Sequence, residues 1–223
     1  MAAHKTVNGL EAQSLQARGR LLDAAERLFA ENGFEGTSVR EITALADCNV
    51  AAVNYHFGGK DNLYLEMFGH RMRQIRDIRL ASIAEVMAEK GPDTPLEDLL
   101  QAFATAFLEP LVNESGGRRF LRLSVREMLD HHLPPDMFYT ETIRPVVKAM
   151  LEAMTTICPS LEEEKALMSI QSMVAQLLHA ICGQQMIGPC GQADLPMSDL
   201  NRAMDHIVAF SAAGIRAYLK EGN

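Results

Sequence analysis

At 223 residues and 48% apolar, the chain is long enough for one large domain or two smaller ones and can bury a substantial core. The longest apolar-rich stretch, Leu167 to Met186, is broken by Gln171, Gln176, His179 and Gln184, and the N-terminal twenty residues hold no apolar signal core. A membrane protein and a secreted one are thereby disfavoured, and a cytoplasmic location without a membrane partner is expected. Cys48, Cys158, Cys182 and Cys190 form no Cys-x-x-Cys pair and read as small buried hydrophobes. His179 and Cys182 have no third or fourth ligand nearby, so neither a metal nor a cofactor is expected. The net charge of −8 is unevenly spread. Residues 1–80 hold ten basic and ten acidic side chains, and the rest hold 11 against 19. A neutral front and an acidic back suit an anionic partner that docks only at the front.

Helical spacing recurs throughout, and no strand-like alternation persists. Residues 1–13 read as a disordered arm. A first helix is expected from Ser14 to Asn32, with Leu21, Leu22, Ala25, Leu28 and Phe29 on one stripe and Gly33 as its stop. Ser38 with Glu41 forms a capping-box pattern that opens a short helix at Val39, burying Val39, Ile42 and Leu45 or Ala46. Asn49 can cap the next, from Val50 to Phe57. Further helices are predicted at Lys60–Lys90, Leu96–Val112, Arg118–His132, Pro135–Ile157, Ser160–Ile187 and Ser198–Lys220, separated by proline- and glycine-bearing breaks.

Two short helices joined by "ADCN", with a supporting helix before them, match a helix-turn-helix. On a wheel of the second, Val50, Val53 and Phe57 share the anchoring face, while Ala51, Ala52 and Tyr55 point away with Asn54 and His56 on the flanks. Small side chains let a backbone approach base edges. Asn54 can pair with adenine, alanine methyls can meet thymine methyls, and Tyr55, His56 and Lys60 can reach phosphates. Those alanines could instead pack beneath a neighbouring helix.

Residues 18–68, "RGRLLDAAERLFAENGFEGTSVREITALADCNVAAVNYHFGGKDNLYLEMF", strongly resemble the DNA-binding domain of the TetR family of transcriptional regulators. The resemblance implies an all-α protein: a three-helix DNA-binding domain over residues 14–59, then a larger helical effector-binding and dimerisation domain over 60–223. It further implies a homodimer on a palindromic double-stranded DNA operator, most members being repressors released by a small-molecule effector. Carried over by position, Arg40, Asn49, Val50, Ala51, Ala52 and Asn54 take groove-facing places or lie beside them. Thr37, Ser38, Tyr55, His56 and Lys60 fall at or near backbone-contacting ones. Asp47 and Cys48 depart from the family's usual glycine and aliphatic residue, although Asp tolerates positive φ better than most residues. "RRFLRLSVREMLD" and "ETIRPVVKAMLEAM" resemble a CecR-like subgroup of the family.

Thirteen methionines in the chain and no tryptophan suggest an adaptable apolar interior for a hydrophobic or aromatic effector in the back half. Candidate pocket residues are Phe103, Phe107, Arg126, Met128, Phe138, Met150, Met154, Met173 and His179. Arg122, Arg126, His131 and His132 could meet an acidic effector or form a solvated face. The helix from Ser160 is apolar nearly all round and needs cover on two sides. Its Met173, Leu177 and Ile181, with Met204, Ile207, Val208 and Ile215 of the last helix, could build a four-helix dimer interface or an ordinary monomer core. An all-helical enzyme or a protein-interaction module with an apolar pocket remains the alternative, but the chain has no His-Glu-x-x-His, Gly-x-Ser-x-Gly or phosphate-cradling glycine loop.

Overall fold

A computed structural model describes residues 2–112, 116–187 and 199–221, with side chains described over 12–112, 116–183 and 199–220. Nine α-helices and no strand occur among these residues: α1 Ala2–Asn32, α2 Val39–Leu45, α3 Ala51–Phe57, α4 Lys60–Lys90, α5 Leu96–Val112, α6 Gly117–Asp130, α7 Arg144–Ile157, α8 Glu163–Ile187 and α9 Leu200–Glu221. The expected loop from Gly188 to Pro196 and the residue Cys190 lie outside the described residues.

Two compact units result, and the division falls inside α4. Unit 1 is Met1–Met72 with Glu114–Met137, and unit 2 is Arg73–Asn113 with Phe138–Asn223. The expected boundary at residues 59 and 60 is therefore corrected: the front unit takes the first turns of α4 and the whole of α6. The expected arm over 1–13 is likewise drawn as the start of α1, and no proline interrupts residues 2–32.

In unit 1, Leu21, Ala25 and Phe29 of α1, Ile42 of α2, Val53 of α3 and Leu63 and Phe68 of α4 form a sealed apolar core. Gly33, at φ 79°, ends α1 in the left-handed conformation that favours glycine; a Cβ there would stand 2.8 Å from Nη1 at the flexible end of Arg126. Ser38 opens α2 by the expected capping box: its Oγ accepts from the Glu41 N–H at 3.2 Å, and Glu41 Oε2 accepts from the Ser38 N–H at 2.8 Å. Those bonds from Ser38 hold the Glu41 carboxyl below its ordinary value. The turn to α3 is tied back to α1, where Arg20 Nε donates to the Ala46 carbonyl at 2.9 Å. Asp47 carries φ 50°, the left-handed conformation expected at that departure from the family pattern. Two wheel assignments are corrected: Val50 is 46% exposed because it stands at the start of α3, and Val39 is half-buried at the start of α2. Of the pair Leu45 and Ala46, Ala46 is the one buried.

Unit 2 packs α8 against α9 and α7, and α5 against α9, α8 and α7. Leu99, Leu100, Phe103, Met150, Met154 and Ala166 are sealed in its core. Arg216 of α9 grips Glu97 at the start of α5 through two bonds, the one from Nη2 measuring 2.6 Å. The single helix expected over 135–157 is interrupted. Pro145 lacks the N–H for a regular ladder, and the preceding Tyr139–Ile143 stretch is π-helical, with the Arg144 N–H reaching the Tyr139 carbonyl. Helix α8 is long and apolar enough to cross a membrane by composition. Its Ile170, Met173, Leu177, Ala180 and Ile181 are nevertheless buried within the chain.

The candidate dimer residues need a correction of the same origin. Met173, Leu177, Ile181, Ile207, Val208 and Ile215 are buried within one chain and Met204 is half-buried, because the apolar stripes of α8 and α9 face each other. The outward apolar residues of these helices include Met168, Leu178 and Phe210, the last 61% exposed.

The left-handed Asp47 sets a backbone test. Asp47→Gly should leave stability within about 1 kcal/mol of the parent, while Asp47→Val should lose about 1–2 kcal/mol, since a branched Cβ clashes at positive φ. Thermal or urea unfolding of both variants checks this.

Candidate functional site

Helix α3 is short, and two side chains fix its rotation. Val53 is fully buried and Phe57 nearly so, with the Arg18 guanidinium 5.3 Å from the Phe57 ring centroid. Pinning those two leaves Ala51, Asn54 and Tyr55 exposed, Tyr55 by 80%, with Ala52 and His56 half-buried. Asn49 is exposed, and its Oδ1 accepts from the Ala51 N–H at 2.9 Å, ordering the first turn. Arg40, on α2, is exposed as well. The helix ends at Gly58, φ 77°, whose N–H returns to the Asn54 carbonyl, and Gly59 leads into α4. The exposed residues of α3 thus offer an amide, a phenol and small methyl-bearing side chains, and α2 offers an exposed cation.

Three of the sequence candidates have additional or different work. Thr37 is buried, and its hydroxyl donates to the Gly33 and Leu28 carbonyls at 2.8 and 3.1 Å. Its assignment as a side chain contacting DNA is corrected: the hydroxyl is spent on the α1 terminus. Ser38 is exposed, but its hydroxyl lies 2.6 Å from Glu41 Oε2. Lys60 is half-buried, with Nζ 4.2 Å from the Phe34 ring centroid.

That Phe34 ring belongs to a cluster absent from the sequence reading. It lies 5.0 Å from Tyr64 and 4.6 Å from His132, and Phe29 meets Tyr64 edge-on at 4.9 Å. The Tyr64 hydroxyl donates to Glu127 Oε2 at 2.8 Å, and the Leu133 N–H donates to Glu127 Oε1 at 2.6 Å. His132 Nδ1 stands 3.5 Å from the same carboxylate. Burial, reinforced by the Glu127 bond, pushes the Tyr64 phenol well above its ordinary range, so it stays a donor. A signal was present: Phe120, Leu123 and Glu127 recur at helical spacing, which puts a carboxylate on a buried stripe. A second acid, the half-buried Glu26 of α1, lies 3.9 Å from both Arg71 of α4 and Arg119 of α6. Its burial outweighs the two cations and raises the carboxyl above its usual value.

The effector candidates separate between the units. Phe103, Phe107, Met150, Met154 and Met173 are buried in unit 2, where Phe138 is half-buried. His179 of that unit is exposed, since its neighbours Ala180 and Ile181 take the inward positions. Arg126 and Met128 belong to unit 1 instead. Met128 is 69% exposed because it follows the inward Glu127, and Arg126 lines a cleft of about 470 Å³ with Gly33, Phe34, Asp130 and His132. Among the described residues, no three His, Cys, Asp or Glu side chains are grouped to hold a metal.

Comparison with known proteins adds the lineage. Residues 21–67 match the family model described as "Bacterial regulatory proteins, tetR family", and residues 101–214 match "Tetracyclin repressor-like, C-terminal domain". The HTH-type transcriptional repressor AcnR of Corynebacterium diphtheriae is 34% identical over 83 residues, covering 37% of this chain and 40% of that protein. The chain spans less than half the length of the first curated relatives it matches. A crystal structure described as a TetR-family regulator from Mesorhizobium loti superposes with a TM-score of 0.69 at 19% identity, covering 90% of this chain and 96% of that one. A SmeT–triclosan complex follows at 0.62 and 19%, covering 88% and 90%. Identities this low speak to the fold alone. The second family model by itself covers just over half of the chain, and the first covers the helix-turn-helix whose exposed face is described above; the protein belongs to the TetR family.

Proposed function

We propose that this chain is a transcriptional repressor that binds a palindromic operator as a homodimer and is released by a small apolar or aromatic effector held in unit 2. The observation that carries the reading is the outward face of α3. Val53 and Phe57 lock the helix by burial, which leaves Ala51, Ala52, Asn54 and Tyr55 turned from the core. A major groove admits such a helix, with Asn54 on an adenine, Arg40 on a guanine and the alanines against thymine methyls. Tyr55, His56 and Lys60 would contact phosphates. Duplex DNA places the working protein in the cytoplasm. The aromatic and methionine side chains buried in unit 2 support an apolar effector, and SmeT, a structural neighbour, is seen with triclosan.

A second copy would cover the outward face of α8 and α9, where Met168, Leu178 and Phe210 lie exposed among small side chains such as Ala209 and Ala213. Phe210→Glu should then yield a folded monomer in sedimentation velocity. Leu177→Ala, at a fully buried site, should instead lower stability by about 2–5 kcal/mol.

Operator selection from random duplexes, followed by binding titrations, tests the DNA reading. Asn54→Ala should cost about 1–3 kcal/mol on the selected operator and blur one A·T position. Lys60→Ala should weaken binding to all sequences and flatten the log–log salt slope by about one. No enriched duplex, or an operator indifferent to both substitutions, would sink the proposal.

A further inference from the structure

Helix α4 carries a buried stripe in unit 2 that reads Ile75, Arg79 and Ile83, with an arginine where an aliphatic residue would be expected. Arg79 is only 8% exposed. Its guanidinium carbon sits 4.0 Å from the Phe107 ring centroid, and Nη2 donates one long bond, 3.4 Å, to the Phe107 carbonyl. Its Nε is buried and has no partner. Among the described residues no carboxylate pairs with it. The acid that meets the preceding arginines of α4 is engaged with them: Glu141 Oε2 lies 3.7 Å from Arg73 and 3.8 Å from Arg76, both more exposed than Arg79.

A second orphan belongs to the segment that Arg76, one turn before Arg79, holds against α4. Arg76 also reaches the Glu141 carbonyl at 3.4 Å, which fixes that residue beside α4. Arg79 comes one helical turn after Arg76, and Thr142 directly follows Glu141. The Thr142 hydroxyl is buried without a partner, within the π-helical stretch that α7 imposes on its approach. π-Turns of this kind often accompany ligand sites. A buried cation with an open donor is costly unless an anion meets it, and a buried hydroxyl likewise wants a polar neighbour.

We propose that Arg79, assisted by Thr142, receives the acid group of the effector, so that the ligand class is a small carboxylate with an apolar or aromatic body. This rests on the reading that unit 2 holds an effector. The guanidinium offers a planar fork to both oxygens of a carboxylate, and the Thr142 hydroxyl supplies a further donor. Phe107 and Phe103, with ring centroids 5.9 Å apart, provide the apolar wall for the remainder of the ligand. Burial pushes the Arg79 guanidinium down to about 10, which still leaves it charged at neutral pH.

The test compares matched acids and alcohols on the full-length protein: 4-phenylbutyrate with 4-phenylbutanol, and decanoate with decanol. Binding is read by calorimetry, and operator release by fluorescence anisotropy. At least one acid should bind tenfold or more tightly than its alcohol and release the operator. Arg79→Met should erase that preference, Arg79→Lys should keep part of it, and Thr142→Val should reduce it. Alcohols that bind as well as their acids would overturn the anion assignment while leaving an effector chamber in place. If no acid and no alcohol binds or releases the operator, the assignment fails together with the effector reading. The acid-to-alcohol ratio of the unsubstituted protein decides the matter even if an Arg79 variant folds poorly.

Discussion

The Glu127 carboxylate is the contact on which the front unit depends. It is buried, accepts from the Tyr64 hydroxyl through one oxygen and from the Leu133 N–H through the other, and has His132 beside it. A carboxylate removed from water is tolerated only when its lone pairs are filled. Those bonds do two things at once. They join α6 to α4, and they close the C-terminal end of α6, where His131 turns left-handed at φ 56°. Around the carboxylate, Tyr64 meets Phe29 and Phe34 edge to face, His132 tilts against Phe34, and Phe29 stacks on Phe34. The same Phe34 ring lies under the Lys60 ammonium. A helix remote in sequence is thereby built into the unit that presents α3.

The division of the chain inside α4 gives that arrangement its functional meaning. One unbroken helix carries Lys60 and Tyr64 in the first unit and Arg79 in the second. Helix α6 is inserted between two segments of unit 2 along the chain and yet folds with unit 1. In the proposed repressor, an effector in unit 2 would have two covalent routes to the recognition surface. One runs along α4, and the other through the connections flanking α6. A ligand shifts such an equilibrium only as far as its affinities for the two states differ.

Much of this was legible from local chemistry. The start of α4 follows from Gly58-Gly59 and its junction with α5 from the proline-bearing segment between them, and the capping box at Ser38 announces α2 directly. Asp47 was expected to accept a positive φ and does so. What escaped needed a third dimension. A wheel gives the phase of a stripe but not its partner, so Leu177 and Ile207 read equally well as a dimer seam or as one chain's own interior. A charged residue on an apolar stripe does not announce its burial: Arg79 falls at the proper spacing from Ile75 and Ile83 and is buried, whereas the apolar Ile78 is exposed. Thr37 falls by family position at or near the DNA backbone, and nothing in its neighbours reveals that the Gly33 and Leu28 carbonyls take its hydroxyl.

The clasp can be measured directly by a double-mutant cycle between Tyr64 and Glu127, read by urea unfolding. Removing the Tyr64 hydroxyl with Tyr64→Phe should cost about 1–3 kcal/mol in the parent, the range for a hydrogen bond to a buried charged acceptor, and close to nothing in a Glu127→Ala background. An equal cost in both backgrounds would contradict the account, because it would mean that α6 joins the front unit without this carboxylate.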